Sequence, residues 1–595
     1  MASHALSHVF GVSCSLSGRA WRWRGGNMEL DGGAIGLEDD IVTQLLLSRG
    51  VDRDDLDRHR TPTLGGFLPD PSCFQDMDTA AERIAQAIIS REKVTIYGDY
   101  DVDGATSAAL MIRLFRLLGH DADYYIPDRL LEGYGPSGEA LVEIGRGGSS
   151  LIVTVDCGAM AQEALSMARD AGVDVIVVDH HKCPPELPPA IALVNPNRLD
   201  ETDEAAAHGH LAAVGVAFLL AIAVVRTLRE RAYFTDRAEP DIRGLLDLVA
   251  LGTVADVAAL HGLNRAFVSQ GLKVMAKRNN TGMSALIDAS RLKRAPICSD
   301  LGFALGPRIN AGGRVGESTL GVRLLTTEDP DEARTISSQL SGLNEERRAI
   351  EAAVQADAEA QLSGQHNRPV HLVSGEGWHP GVIGIVAGRI KEKTGKPTIV
   401  IAVDGQTGEG KGSGRSISGV DLGAAIIGAR EDDLLVAGGG HAMAAGLTIE
   451  SGKIETFHDW LCERLEGPVG RAMAEQVMTL DLAVGPRGLT PELVHSLDRA
   501  GPYGVGWPGP RVAIGPVHVI KADIVGNDHL RLIAGSPEGG SIKAIAFRAA
   551  ETDWGQAILH SARGRKLWLA GRAKIDDWGA RPAAELHLED AAWAD

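Results

Sequence analysis

Three aspartates stand at alternate positions in Asp99-Tyr100-Asp101-Val102-Asp103, and further along the chain come Asp156, the triplet Asp179-His180-His181, and Asp256. Like charges this close repel unless a cation neutralises them, so the first run is either a solvated loop whose acids cap the next helix or one wall of a metal site. Alternation along the loop would let Asp101 and Asp103 face one pocket. Carboxylates joined by imidazole, without thiolates, select Mg²⁺ or Mn²⁺ over structural zinc, and the imidazole tilts the choice towards Mn²⁺. Two such ions about 4 Å apart activate a water and stabilise the leaving oxygen of a phosphoryl displacement.

These acids follow short, β-branched apolar runs: Val94 to Tyr97, Leu151 to Val155 and Val173 to Val178. Separated by helical segments, such runs read as buried parallel strands of an α/β sheet, whose ligands bind at the carboxyl ends of the strands. A helix is expected from about Ala105 to Leu118. Asp256 ends the apolar stretch Leu251-Gly252-Thr253-Val254-Ala255, where an unpartnered carboxylate is expensive to bury; it reads as a fourth acid of the site or as part of a helix cap near Thr253.

Gly98 to Gly104, Asp156-Cys157-Gly158 and Asp179-His180-His181 resemble the first three motifs of the DHH phosphoesterase superfamily, and Asp256 falls where the aspartate of its fourth motif stands. Within that superfamily the chain is most similar, nearly end to end, to the bacterial exonucleases specific for single-stranded DNA. Arg129 to Gly135, Val194-Asn195-Pro196-Asn197, Pro307 to Arg314, Trp378 to Gly384 and Gly438 to Ala442 carry that finer likeness. The resemblance implies Asp101, Asp103, Asp156, His180 and Asp256 as ligands of two divalent ions, Mn²⁺ or Mg²⁺, with Asp156 bridging. It also implies catalytic roles for Asp99, behind the metal ligands or on the substrate side, and for His181, beside the scissile phosphate. Substrate contacts are implied for Arg129, Arg308, Asn310 and Arg314. Many superfamily members carry histidine where this chain has Tyr97, which implies one ligand fewer for the first ion.

The domains expected are an N-terminal segment (1–75), a parallel-sheet DHH domain (76–326), a connecting helix (327–365) that Gly342 interrupts, a smaller α/β DHH-associated substrate-binding domain (366–466) and a C-terminal OB-fold β-barrel (467–595). In the smaller α/β domain Gly405 to Lys411 nearly spells a phosphate-binding loop, but Gly412 replaces the required Ser or Thr, which excludes a nucleoside-triphosphatase site. Ser413 and Arg415, with Gly439, Gly440 and His441, offer instead a guanidinium fork and a glycine nest for a phosphate. In the C-terminal region Tyr503, Trp507, Phe547, Trp568 and Trp578 are either core or base-stacking groups. The basic aromatic patch Arg19 to Arg24 reads as a terminal strand packed on a neighbour in preference to a nucleic-acid contact.

A formal net charge of −20 excludes polyanion binding by the whole surface and confines it to local grooves. Six scattered cysteines without a CxxC pair suggest neither a zinc knuckle nor a disulfide framework and fit a reducing cytoplasm. No secretory leader is recognised, and the apolar run Leu211 to Val225 is shorter than the ~20 residues of a membrane span, so a buried helix is expected there.

The expected activity is two-metal hydrolysis of single-stranded DNA from the 5′ end, releasing 5′-mononucleotides during repair and recombination. Single-stranded DNA is the expected partner, joined by a single-strand-binding protein and a RecQ-type helicase, with no membrane contact and a monomeric state. Two alternatives stand beside it: a small-substrate DHH phosphoesterase acting on oligoribonucleotides or cyclic dinucleotides, and an inactive scaffold that binds single strands.

Overall fold

The computed structural model of the 595-residue chain describes residues 8–25, 39–128, 132–133, 135–536, 539–561, 565–576 and 582–594. Arg129 and Trp578 lie outside the described residues. The chain forms two compact units, one of Thr61–Ala349 with Pro502–Pro508, the other of Met1–Arg60, Ile350–Gly501 and Gly509–Asp595.

The first unit is built on a five-stranded sheet in the order Asp123–Tyr125, Val94–Gly98, Leu151–Val155, Asp174–Val178, Ala192–Val194, with every neighbouring pair parallel. Both faces are covered, which is why the strands are continuous apolar runs. Ile96, Val153 and Val178 point into a core with Ile84, Phe115 and Phe218, while Tyr97, Ile152 and Val177 pack against Leu141 and Leu165 on the other side. The two outer strands, three residues each, are too short to announce themselves in sequence.

The apolar run from Leu211 becomes the buried helix Ala213–Glu230. Among the described residues no helix is long and apolar enough to cross a membrane. Helix Pro330–Gln361 runs unbroken through Gly342, contrary to the expected interruption; the glycine looks into open space, and the strong helix formers around it outweigh a cost of ~1 kcal/mol.

In the second unit a sheet runs in the order Ala437–His441, Ala444–Glu450, Glu409–Arg415, Thr398–Val403, His371–Glu376, antiparallel except for its last pair. The near phosphate-binding loop is the turn of its Thr398–Val403/Glu409–Arg415 hairpin, with Asp404 Oδ1 accepting the amides of Gln406 and Thr407. Towards the C-terminus, strands Val512–Val525, His529–Gly535, Ser541–Ala546, Ala583–Trp593 and Lys566–Asp576 close into a barrel through the pairing of the first with the last. Strand Ala20–Trp23 pairs with Val477–Leu480, burying Trp21, whose Nε1 donates to Asp590 Oδ2 at 3.0 Å. The basic aromatic patch is thus a packed terminal strand.

The aromatic residues divide in the same way. Trp507 is buried, its ring under the Arg265 guanidinium, whose Nη1 donates to Pro502 O. Trp568 stacks on Phe10 with ring centroids 4.0 Å apart. Both are packing groups and not free platforms for bases; Phe547 is exposed and flanked by the rings of His529 and His587.

Candidate active site

Strand register puts the acids in line. Gly98 pairs with Val155, Val155 with Val178, and Val178 with Val194, so the next residue on each strand, Asp99, Asp156, Asp179 and Asn195, falls in one row along the carboxyl edge of the sheet. Asp156 takes a left-handed backbone, φ +62°, which Asp tolerates better than most side chains, while its amide still donates to Val178 O. Such local strain is characteristic of functional sites.

The helix after the first strand starts at Val102, earlier than the expected Ala105, because Asp101 is its N-cap: Oδ1 accepts the amides of Asp103 and Gly104 at 2.8 and 3.1 Å. Capping and metal binding are therefore compatible in this loop. Asp103, in the first turn, is buried and accepts the amides of Ala213 and Val214 at 2.7 and 3.0 Å, so the positive end of helix Ala213–Glu230 holds its charge in place. Gly313 lets helix Gly306–Val315 approach this loop, since a Cβ there would lie 2.6 Å from Tyr100 O.

His180 Nδ1 lies 3.1 Å from Leu211 O, which makes it the donor and leaves Nε2 as the acceptor nitrogen, 3.4 Å from Asp156 and 4.0 Å from Asp103. Asp256 follows helix Leu246–Ala255 as its C-cap, at the negative end of the dipole; His180 Nδ1 is 3.9 Å away. Burial, followed by the charges of Asp103 and Asp101, pushes the Asp256 carboxyl up to about 8. Burial and neighbouring acids likewise raise Asp103 and, further, Asp156. Donor atoms of Asp99, Asp101 and Asp156 lie within 4.8 Å of one another, as do those of Asp103, His180 and Asp256, and those of Asp156, His180 and His181. An oxygen-rich set with one imidazole nitrogen, destabilised by its own charge, fits hard divalent cations.

Three residues with no expected ligand, catalytic or substrate role hold the site together. Asp179 Oδ1 accepts the amides of His180 and His181 and the His181 ring Nδ1, while its Oδ2 takes the amide of Ala159. Against the opposing effect of burial, this bond and the paired charges bring Asp179 down to about 2 and His181 up to about 9. Asn195 Nδ2 donates to His181 O at 2.8 Å, and Asn197 Nδ2 to His180 O at 2.6 Å, so both histidine carbonyls are clamped too. The Asn-Pro-Asn run was visible in the sequence, but its role needed the strand Ala192–Val194 beside it.

Tyr97 is buried, with its hydroxyl donating to Gly135 O and its ring stacked on Tyr125. Arg308 donates from Nε to Ser341 Oγ at 3.2 Å and from Nη1 to Ala304 O at 2.6 Å, and it lies two positions from Asn310, off the helix face that Asn310 shares with Arg314.

In the second unit, Ser413 pairs with Gly446 and Gly446 with Gly439, so these residues lie side by side on one sheet face with Arg415 and His441. Arg415 Nη1 donates to Ser413 Oγ at 3.1 Å, and Gly384 on helix Pro380–Thr394 leaves room for both, since a Cβ there would lie 2.9 Å from each. The expected nest of glycine amides is instead an extended strand, Ala437–His441, in which only Gly440 has a positive φ. Gly439 leaves a bare surface: a Cβ there would meet nothing within 4 Å.

Three stretches match domain families: residues 93–253 the DHH family, N-terminal domain; residues 367–467 the DHHA1 domain; and residues 480–590 the RecJ OB domain. The single-stranded-DNA-specific exonuclease RecJ of Escherichia coli is 36% identical over 565 residues, covering 92% of this chain and 95% of that protein. The chain belongs to the RecJ family. RecJ of Bacillus subtilis is 33% identical over 556 residues, 93% of this chain and 68% of that protein. Crystal structures of RecJ from Thermus thermophilus in complex with Mn²⁺ and with Mg²⁺ match with TM-scores of 0.74 and 0.69, at 28% and 27% identity, covering 93% of this chain and 75% and 74% of those chains. The RecJ OB domain corresponds to the closed barrel, so the expected fold class holds.

Proposed function

We propose that the protein is a single-stranded-DNA-specific exonuclease that removes 5′-mononucleotides by hydrolysis assisted by two divalent cations. The observation that carries this reading is the row of acids at the carboxyl edge of the parallel sheet, joined by Asp103, His180 and Asp256, in a chain of the RecJ family.

Asp99, Asp101 and Asp156 would hold one cation and Asp103, His180 and Asp256 the other, with Asp156 available to both. The cations supply an activated water and neutralise the charge that develops on the phosphate. Asp179 occupies Nδ1 of His181, which leaves Nε2 to carry a transferable proton. That makes it the general acid for the departing 3′ oxygen. Tyr97 offers its hydroxyl to Gly135 and takes a packing role. Asn310 and Arg314, and in the second unit Ser413, Arg415, Gly439, Gly440 and His441, are assigned to the substrate, with Arg415 suited to a terminal phosphate.

Competition separates this reading from a small-substrate phosphoesterase. Turnover of a long single strand should be at least tenfold more efficient than turnover of a dinucleotide, and deletion of 467–595 should remove the advantage. Equal efficiency on both would contradict the reading.

A further inference from the structure

The groups assigned above handle phosphate and cations and leave open what receives a base near the scissile bond. Among the described residues Phe303 is the most exposed large apolar side chain, with 87% of its surface in water. It stands on Leu301–Leu305, a π-helical turn in which the Gly306 amide reaches back five residues to Leu301 O while Leu301 and Leu305 stay buried. Turns of this kind have poorer hydrogen-bond geometry than an α-helix and occur frequently at functional sites.

Its position is specific. A Cβ on Gly302 would lie 3.5 Å from Val254 Cγ1, and one on Gly306 would lie 3.1 Å from Ala255 Cβ and 3.9 Å from Val102 Cγ2. Val254 and Ala255 lead directly into Asp256, and Val102 stands between Asp101 and Asp103. The turn that carries Phe303, with the Gly306 that follows it, therefore packs against two of the segments that supply acids to the site. Val257, next to Asp256, is a second exposed apolar residue, at 62% with φ +62°. Two side chains are too small a patch for a protein partner, which needs several hundred Å². One aromatic ring beside a polyanion-cleaving site matches a single unpaired base, since every base offers a π face without regard to sequence.

We propose that Phe303 stacks on one nucleobase of the single strand whose backbone enters the acid cluster. This rests on the exonuclease reading and adds a base contact to it. Because a base inside a duplex is already stacked on its neighbours, such a contact favours an unpaired strand.

The test uses oligonucleotides carrying one tetrahydrofuran abasic residue at each of the first four positions from the 5′ end, with wild type, Phe303→Ala and Phe303→Trp. Both single-turnover cleavage with Mn²⁺ and affinity in EDTA are read. In the wild type one position should show a penalty of roughly tenfold, Phe303→Ala should lose about as much on ordinary DNA and no longer sense that abasic residue, and Phe303→Trp should restore both. Unchanged behaviour of Phe303→Ala, or a uniform loss that keeps the abasic penalty, overturns the inference. Absence of cleavage by the wild type, with a Phe303-dependent penalty still present in binding, would overturn the exonuclease reading and leave the stacking contact standing.

Discussion

Asp179 Oδ1 lies 2.8 Å from His181 Nδ1, and the same oxygen receives the backbone amides of both site histidines. In the metal-free protein the His181 ring should therefore titrate near 9, as followed by NMR, and Asp179→Asn should lower that midpoint by more than one unit. His181, raised from 6.5, stabilises the fold fully below its unfolded value and loses that contribution as pH rises through about 9. Asp179, depressed from 3.8, stabilises above that value and loses its contribution as pH falls through about 2. The pair is thus fully effective from about pH 4 to 6.5, where Asp179→Asn should lower Tm the most. An unmoved ring titration would refute the coupling.

The acid cluster has the opposite sign. Asp103, Asp156 and Asp256 have pKa values raised by burial and by one another, so the folded metal-free protein holds more protons than the unfolded chain from the ordinary carboxylate range up to about 8, and loses stability as pH rises through it. Cation binding replaces those protons. The rise in Tm caused by saturating Mn²⁺ over EDTA should be larger at pH 8 than at pH 5.5, and Mn²⁺ uptake at pH 7 should release protons measurable in weakly buffered solution.

Two acids of the cluster should separate in stability while both abolish cleavage. Asp103→Ala removes the acceptor for two amides at the start of helix Ala213–Glu230 and should cost about 2 kcal/mol in urea unfolding. Asp256 sits at the unfavourable end of its helix, so Asp256→Asn should leave the stability of the metal-free protein unchanged or raised.

Asn197 Nδ2 donates to the carbonyls of His180 and Gly209. Asn197→Ala should weaken Mn²⁺ affinity, read by calorimetry, by about 10-fold or more, as loss of a group that orients a ligand does. An unchanged affinity with a lowered Tm would make it a purely structural contact.

Adjacent glycines of the second sheet should also behave differently. A Cβ at Gly440 would meet Ala444 O at 2.5 Å on a backbone of φ +149°, so Gly440→Ala should destabilise the hairpin. Gly439→Val enters open space and should keep Tm while raising KM for DNA several-fold, if the bare surface carries substrate.

The legible part of this structure was what strand physics writes into sequence. Three apolar runs ending in acids announced a parallel sheet and its ligand edge, and short strand-like runs between Gly and Pro turns suited a small barrel. What stayed hidden depended on partners distant in the chain. Nothing local says that Asp103 meets the amides of Ala213 and Val214, or that Asn195 and Asn197 clamp the backbone of the histidine pair. Nor does anything local say that Trp507 packs beneath the guanidinium of Arg265, far earlier in the chain. The glycines before His441 suggested a nest because isolated glycines favour positive φ; pairing with Ala444–Glu450 made them a strand.

The most direct test of the two-cation exonuclease is degradation of a single-stranded DNA labelled at either end, with Mn²⁺, Mg²⁺ or EDTA, by wild type and Asp156→Ala. Metal-dependent release of mononucleotides from the 5′ end, lost in EDTA and lowered at least 100-fold in the variant, is the predicted result. Cleavage that survives EDTA or the loss of Asp156, or binding without cleavage in every metal, would contradict it.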